Sequence, residues 1–509
     1  MAITEKNGKR RSMRILLITP EITYLPSGMG NYANQLTAKA GGLADVSASL
    51  VSCLYELGAD VHIAIPNFRR IFSFEIGKLV EDELRLYLNK LNQSRVHLAE
   101  DRIFYYQDKV YGNYMQESIK VSLAFQREVI NNIIPQVNPD IIHCNDWMTG
   151  LIPGFARRLN IPCLFTVHNI HTQKLSLEYI EEEGGIDAAG FWNNLFFNYP
   201  PYNYEESRAN NMVDLLTSGV FASHFINTVS PTFLEEIVHG QHDFIPGQVR
   251  SEIKNKYYSE CACGILNSPD PSYDPETDAA LCCNYTATDF YEKKARNKAS
   301  FQEKLGLEVD PQAPIFFWPS RLDPVQKGCQ LLSDILYRTI DRYYGEKIQF
   351  AIVANGAYQE VFHNIATFHN IHKRVAVCNF NEDLSRLGFA GSDFMLMPSL
   401  FEPCGLPQMI APKYGTLSVA NDTGGLHDTI EHLDPVKGKG NGFLFNVYNS
   451  EGLEWAIEQA MNFYRLPVEI KNPQIARIMV DAKSRFNHSV TAQAYIDIYE
   501  KMTQRPLIT

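Results

Sequence analysis

No uninterrupted apolar run in this chain approaches the roughly 18–20 residues of a membrane-spanning helix. Lys6, Lys9, Arg10, Arg11 and Arg14 precede Ile15–Ile18 in the manner of a signal peptide. The apolar stretch is too short for one and Pro20–Glu21 end it, which leaves a first strand behind a basic, frayed leader and a cytoplasmic address as the expectation. C-x-x-C spacing is also missing. The ten cysteines are scattered, and the nearest groupings, Cys261/Cys263 and Cys282/Cys283, have no histidine pair beside them. Neither a disulfide framework nor a metal site is therefore expected, and no cofactor. Positive charge is not in excess either: 46 basic and 58 acidic side chains leave −12, which argues against a nucleic-acid partner. Low-complexity tracts and short internal repeats are absent.

What is present is enough apolar material, 45% of 509 residues, for two large domains or three small ones. Short β-branched runs alternate with longer helical patterns, as in parallel βαβ construction. Strands are expected at Arg14–Thr19, Val61–Pro66, Ile103–Gln107, Ile141–Cys144, Cys163–Val167 and Phe225–Val229. A second set is expected at Ile315–Pro319, Ile348–Ala354, Val375–Cys378, Phe394–Pro398 and Leu417–Ala420. Helices such as Gly42–Leu57, Ala124–Ile134, Gln330–Tyr343 and Leu453–Phe463 are interleaved with them. The proline-rich stretch Asn267–Asp278 marks the join. The expected division is 1–265, 266–480 and a helical C-terminal segment 481–509 that packs back on the first domain. The fold class is α/β, two doubly wound Rossmann-like domains facing each other across a cleft, so residues just after strands are the functional candidates.

After the first strand, Lys39-Ala40-Gly41-Gly42 opens a helix that carries Asp45 in its first turn. Paired glycines at a helix start let a backbone approach a phosphate, and a lysine adds a point charge. Gly28-Met29-Gly30-Asn31-Tyr32-Ala33 matches the dinucleotide fingerprint in letters, but Pro20–Ser27 separate it from the strand, which argues against nicotinamide binding. Asp146 and His168 each follow an expected strand. In the second half, Arg321 and Lys327 flank a strand–helix turn where two cations can meet a diphosphate. Ser399-Leu400-Phe401-Glu402-Pro403-Cys404-Gly405-Leu406 joins a carboxylate to a proline–glycine turn, and Thr423-Gly424-Gly425 opens another helix.

These segments resemble the bacterial glycogen synthase and plant starch synthase family, retaining glycosyltransferases of GT-B architecture. The matching pieces are KAGGLADV from Lys39, HCNDW from His143, TVHN from Thr166 and TVSPTFLEEI from Thr228. PSRLDPVQKG from Pro319, SLFEPCGLPQ from Ser399, YGTLSVANDTGGLHDT from Tyr414 and NGFLF from Asn441 follow in family order. The resemblance implies transfer of glucose from ADP-glucose or UDP-glucose to the non-reducing end of an α-1,4-glucan. It places Lys39, Gly41 and Gly42 at the nucleotide diphosphate, and Arg321 and Lys327 at the pyrophosphate. Glu402 falls on the sugar hydroxyls, the turn Cys404, Gly405 and Leu406, with Thr423 and Gly424, on phosphate and sugar, and His168 near the reacting carbon. Asp45 and Asp146 take supporting positions. Glu402 stands without a second carboxylate close in sequence, so a front-face displacement is expected rather than a covalent glycosyl-enzyme.

Departures from the family pattern fall at Ala40, Asn145, Met148, Thr217, Ser268 and Pro407, where acceptor and hinge are expected, and the loop Thr23–Thr37 resembles an insertion. Two further readings therefore stand beside glucan synthesis. One is transfer to another acceptor, glucose 1-phosphate or a small oligosaccharide. The other is a non-catalytic glucan-binding paralogue. Tyr202 and Tyr204, in a proline-containing stretch, are candidates for gripping glucan or for loop packing.

Overall fold

The computed structural model describes residues 12–30, 36–72, 94–112 and 114–508. The basic leader segment up to residue 11 lies outside the described residues, as do residues 31–35 of the Thr23–Thr37 loop. The chain divides into two compact units. The first holds Met1–Val229, Leu234–Ile265 and His488–Thr509, and the second holds Ser230–Phe233 and Leu266–Asn487.

Among the described residues, the first unit is built on strands β1 (Arg14–Ile18), β2 (Asp60–Pro66), β3 (Val96–Ala99), β4 (Ile141–Asn145), β5 (Cys163–Val167), β8 (Phe225–Thr228) and β9 (Ala262–Gly264). They form one parallel sheet in the order β3-β2-β1-β4-β5-β8-β9. A small antiparallel ribbon pairs β6 (Lys174–Leu175) with β7 (Val213–Asp214). The four residues Ile15 to Ile18 are all buried, since helices cover both faces of a parallel sheet and alternation disappears. The strand order reverses between β1 and β4, so the space beyond their C-terminal ends is the switch point.

The C-terminal helix His488–Thr503 is part of this unit. Its Tyr499 hydroxyl lies 2.7 Å from His143 Nδ1, and Thr166 Oγ1 lies 2.7 Å from Nε2, while Tyr495 meets the Asn227 side chain at 3.1 Å. His143, at the head of the HCNDW motif, is thereby fully partnered inside the sheet, and burial lowers its pKa to about 3.

The second unit has strands β10 (Ile315–Trp318), β11 (Gln349–Val353), β12 (Val375–Cys378), β13 (Phe394–Met397), β14 (Leu417–Asn421) and β15 (Gly442–Phe445). Their order, β12-β11-β10-β13-β14-β15, is the Rossmann order, all parallel, with its switch point between β10 and β13. Alternate side chains fill two separate cores. Phe316, Trp318, Phe350, Ile352, Phe394 and Leu396 pack on one face, with helices Cys329–Arg342 and Ser450–Tyr464. Ile315, Phe317, Val353, Met395 and Met397 pack on the other.

The expected strand Ile103–Gln107 is a correction: the chain there forms the short helix Arg102–Tyr105. Asp101 caps it by accepting from the Ile103 amide at 2.8 Å, and the edge position in the sheet belongs to Val96–Ala99. The Gly28–Ala33 fingerprint is not a strand–helix turn where it is described. Ser27–Met29 is one 3-10 turn, and a Cβ on Gly28 would stand 2.2 Å from the Tyr55 hydroxyl; Asn31–Ala33 lie outside the described residues.

Tyr499→Phe removes one partner from a buried imidazole. It should destabilise the first unit by about 1–3 kcal/mol, read as a lower midpoint in chemical denaturation with secondary structure unchanged; an unaltered midpoint would mean that the bond contributes nothing.

Candidate active site

In the first unit the candidates gather at the switch point. The helix Gly42–Glu56 begins with Gly41 as N-cap in extended conformation. The amides of Ala40 and Gly41 both donate to Glu21 Oε2, each at 2.8 Å, and the Tyr111 hydroxyl donates to Oε1 at 2.8 Å. The Gly41 amide, expected at a nucleotide diphosphate, here serves an internal carboxylate, held at the helix N-terminus by the dipole that would also favour a phosphate. Burial raises the pKa of Glu21, while its amide and hydroxyl donors oppose that rise. Lys39 Nζ pairs with Asp45 Oδ2 at 2.9 Å, and Thr23 Oγ1 donates to Asp45 Oδ1 at 2.6 Å. Glu21 was missed in sequence reading. The signal was a carboxylate three residues past the end of the first strand.

Asp146 and His168 do come together. Asp146 Oδ1 accepts from the His168 amide at 2.7 Å and Oδ2 from Asn169 Nδ2 at 3.1 Å. Asp146 has φ 56° and ψ −177°, a strained backbone for a side chain of its kind, of order 1–3 kcal/mol and often seen at functional sites. Burial lifts its pKa to about 7, with the Glu21 charge adding to the rise and the His168 and Asn169 amides opposing it. His168 has its pKa lowered to about 3 by desolvation, so the imidazole is neutral at physiological pH. Its Nε2 lies 2.9 Å from Asn145 Oδ1, and Asn145 Nδ2 donates to Ile18 O at 3.0 Å. With the Asn145 amide so oriented, the imidazole proton sits on Nε2 and Nδ1 remains an acceptor. The family departure at Asn145 therefore sets the tautomer of His168.

In the second unit the switch point carries Arg321, Lys327 and Glu402. Lys327 Nζ lies 2.5 Å from Glu402 Oε2, and Ser399 Oγ donates to the same oxygen at 3.0 Å. Both side chains are buried. The loop that carries Glu402 is strapped from four sides. Leu400 N donates to Gln326 O (2.8 Å), Asn421 Nδ2 to Ser399 O (2.9 Å), Gly425 N to Glu402 O (2.9 Å) and Gln408 Nε2 to Cys404 O (2.7 Å). Two glycines permit this closeness. A Cβ on Gly328, at φ +68°, would fall 1.9 Å from Pro398 O, and one on Gly425 would fall 2.0 Å from Cys404 O.

Arg321 is exposed and, among the described residues, has no hydrogen-bond or ion-pair partner. Gly405 has φ +75°, and Leu406 precedes the short helix Pro407–Ile410, where Pro407 occupies a first-turn position that needs no N–H. Burial pushes the Cys404 thiol up to about 12, so it is neutral rather than a nucleophile. Thr423 and Gly424 open the helix Gly424–Thr429 directly after β14. Among the described residues no group of three or more His, Cys, Asp or Glu side chains is arranged to hold a metal ion.

Residues 14–246 match the starch synthase catalytic domain and residues 301–473 match glycosyl transferases group 1. The chain is 33% identical to a glycogen synthase of Exiguobacterium sibiricum, covering 84% of this chain and 89% of that one. It is 32% identical to a glycogen synthase of Desulforamulus reducens, covering 91% and 96%. Its fold is similar to the catalytic domain of starch synthase IV from Arabidopsis thaliana, bound to ADP and acarbose, with TM-score 0.76 and 24% identity over 97% of this chain and 100% of that one. Two doubly wound parallel sheets with a strapped cation–carboxylate pair at the second switch point define a GT-B hexosyltransferase. The chain belongs to the glycogen synthase and starch synthase family.

Two outcomes follow from this geometry. Lys327→Met strands Glu402 as a buried, unpaired charge and should cost about 3–5 kcal/mol; adding Glu402→Gln should restore much of the loss, and a double variant as unstable as the single one would contradict the pairing. Asp146 has a folded pKa above its unfolded value of about 3.8. The folded protein then keeps a proton that the unfolded chain releases, so stability falls as pH rises from about 4 to about 7 and levels above that. Asp146→Asn should gain in melting temperature over wild type across that window; a constant difference from pH 5 to pH 8 would refute the shift.

Proposed function

We propose that this protein transfers glucose from ADP-glucose to the non-reducing end of an α-1,4-glucan with retention of anomeric configuration, and that it does so in the cytoplasm. The observation that carries the reading is the contrast at the second switch point between Arg321, exposed and unpaired among the described residues, and Lys327, buried and held against Glu402. Departure of a nucleoside diphosphate concentrates negative charge on its phosphates, and pre-placed cations stabilise that charge without reorganisation. Arg321 is the group free to receive the diphosphate on arrival. Lys327 keeps two further N–H donors beyond the one used by Glu402 and turns them toward the leaving phosphate.

Glu402 has Oε2 committed to Lys327 and Ser399, while Oε1 has no protein partner among the described residues and accepts from a sugar hydroxyl. The Cys404–Gly405–Leu406 turn, with Thr423 and Gly424, supplies backbone groups to phosphate and sugar. On the first unit, Lys39 and Gly42 attend the diphosphate, with Asp45 orienting Lys39. His168, neutral and with Nδ1 free to accept, takes a hydroxyl of the transferred glucose near the reacting carbon, and Asp146 fixes the backbone that presents it. Adenine is the base proposed because the starch synthase with the similar fold is an ADP complex. The positions that depart from the family pattern bear on the acceptor, for which α-glucan is the reading.

The test uses purified protein with ADP-glucose or UDP-glucose, with and without glycogen, following diphosphate release and label in polymer. Polymer labelling with ADP-glucose is expected. Release without polymer growth would replace the glucan by another acceptor, and no release with either donor would overturn the reading. Arg321→Ala, at an exposed and unpartnered position, should fold normally yet lower turnover well over tenfold; near-wild-type turnover would remove Arg321 from the site.

A further inference from the structure

In the second unit a cavity of about 60 Å³ opens between the segment 274–287, the turn Ala411–Tyr414 and the helix Val468–Arg485. Its charged and polar lining consists of Asp274, Glu276, Thr286, Lys413 and Lys483, over an apolar floor that includes Met479. The charges sum to zero, but they are not evenly matched. Lys483 Nζ bridges Asp274 Oδ2 at 3.0 Å and Glu276 Oε1 at 2.7 Å. Asp274 Oδ1 accepts from the Glu276 amide at 3.0 Å. Both carboxylates are thus engaged with one another's neighbours and with a single lysine. Lys413 completes the charge balance without such a contact. It is only 8% exposed, lines the cavity, and has no hydrogen-bond or ion-pair partner among the described residues.

The Lys413 side chain is largely buried while its ammonium opens onto the cavity with its donors unused; burial lowers its pKa, with Asp274 and Asp270 partly offsetting the effect. A compact oxyanion in the cavity would favour the charged form. It would receive charge-assisted hydrogen bonds from Lys413, beside carboxylates that Lys483 already bridges. From this geometry we infer that the cavity is a binding site for a small phosphate-type oxyanion, separate from the transfer site, with Lys413 as its principal ligand. The turn Ala411–Tyr414 continues directly from the helix Pro407–Ile410 and the loop of Glu402, so an anion held there ties the 274–287 segment to the scaffold of the site. The same chemistry is offered by free phosphate and by a phosphate monoester.

The test measures binding by calorimetry in the Arg321→Ala background, which removes an oxyanion contact at the transfer site, with inorganic phosphate in one arm and glycerol 3-phosphate in the other at constant ionic strength. Saturable binding is expected in at least one arm. Tighter phosphate binding would identify the free anion as the ligand, and tighter glycerol 3-phosphate binding a monoester. Adding Lys413→Met should weaken binding about tenfold or more, the loss of one charged hydrogen bond. Lys413→Gln, which keeps a neutral donor, should fall between. The Lys413→Met protein should melt no lower than its parent without phosphate, since the desolvation that disfavours the charged lysine is gone. Binding unchanged by Lys413→Met, absence of saturable binding in both arms, or a marked fall in melting temperature with Lys413→Met would each overturn the proposal.

Discussion

A buried ammonium 2.5 Å from a buried carboxylate organises the second unit. Neither Lys327 nor Glu402 is tolerable alone away from water, since each would carry a desolvation cost of several kcal/mol. Together, and with Ser399 on the shared oxygen, they are stable only if two loops from different strands are held in register. The straps from Gln326, Asn421, Gln408 and Gly425 meet that demand, and the glycines at 328 and 425 make room for it. The closely strapped turn after β13 holds that pair in place.

The first unit handles charge differently. Its glycine-opened helix is capped by an internal carboxylate, Glu21, and its motif lysine is paired with Asp45. Asp146 accepts from the backbone that bears His168, while Glu21 crowds it with like charge and Asp45 does the same to Glu21. Such a network is rigid because every member serves another. Pre-organisation of this kind suits the sugar-positioning role proposed for these groups. Arg321, by contrast, is exposed and has no partner among the described residues.

Both sheets were legible because parallel strands buried on two faces are runs of apolar residues, and Ile315–Trp318, Phe394–Met397 and Ile141–Asn145 are such runs. The edges were not. Val96–Ala99 is half-exposed, Ala262–Gly264 is three small residues, and Ile103–Gln107 reads as a strand although Asp101 caps a helix there. At the site, Arg321, Lys327, Glu402 and the glycines stood out because they follow strands in recognisable motifs. Glu21 did not, since a carboxylate beside a proline at a strand end has no pattern of its own.

The sequence alone determined the two parallel sheets, the positions of most strands and the residues placed at strand ends, because burial on both faces and turn chemistry are local properties. Only the tertiary structure decided which charges are already paired. It put Glu21 on the Gly41 amide, Lys327 on Glu402, Tyr499 on His143, and left Arg321 and Lys413 without hydrogen-bond or ion-pair partners among the described residues. Each of those outcomes joins residues far apart in the chain, and a Coulomb or hydrogen-bond energy depends on distance in space and on burial, neither of which is written in the order of the letters.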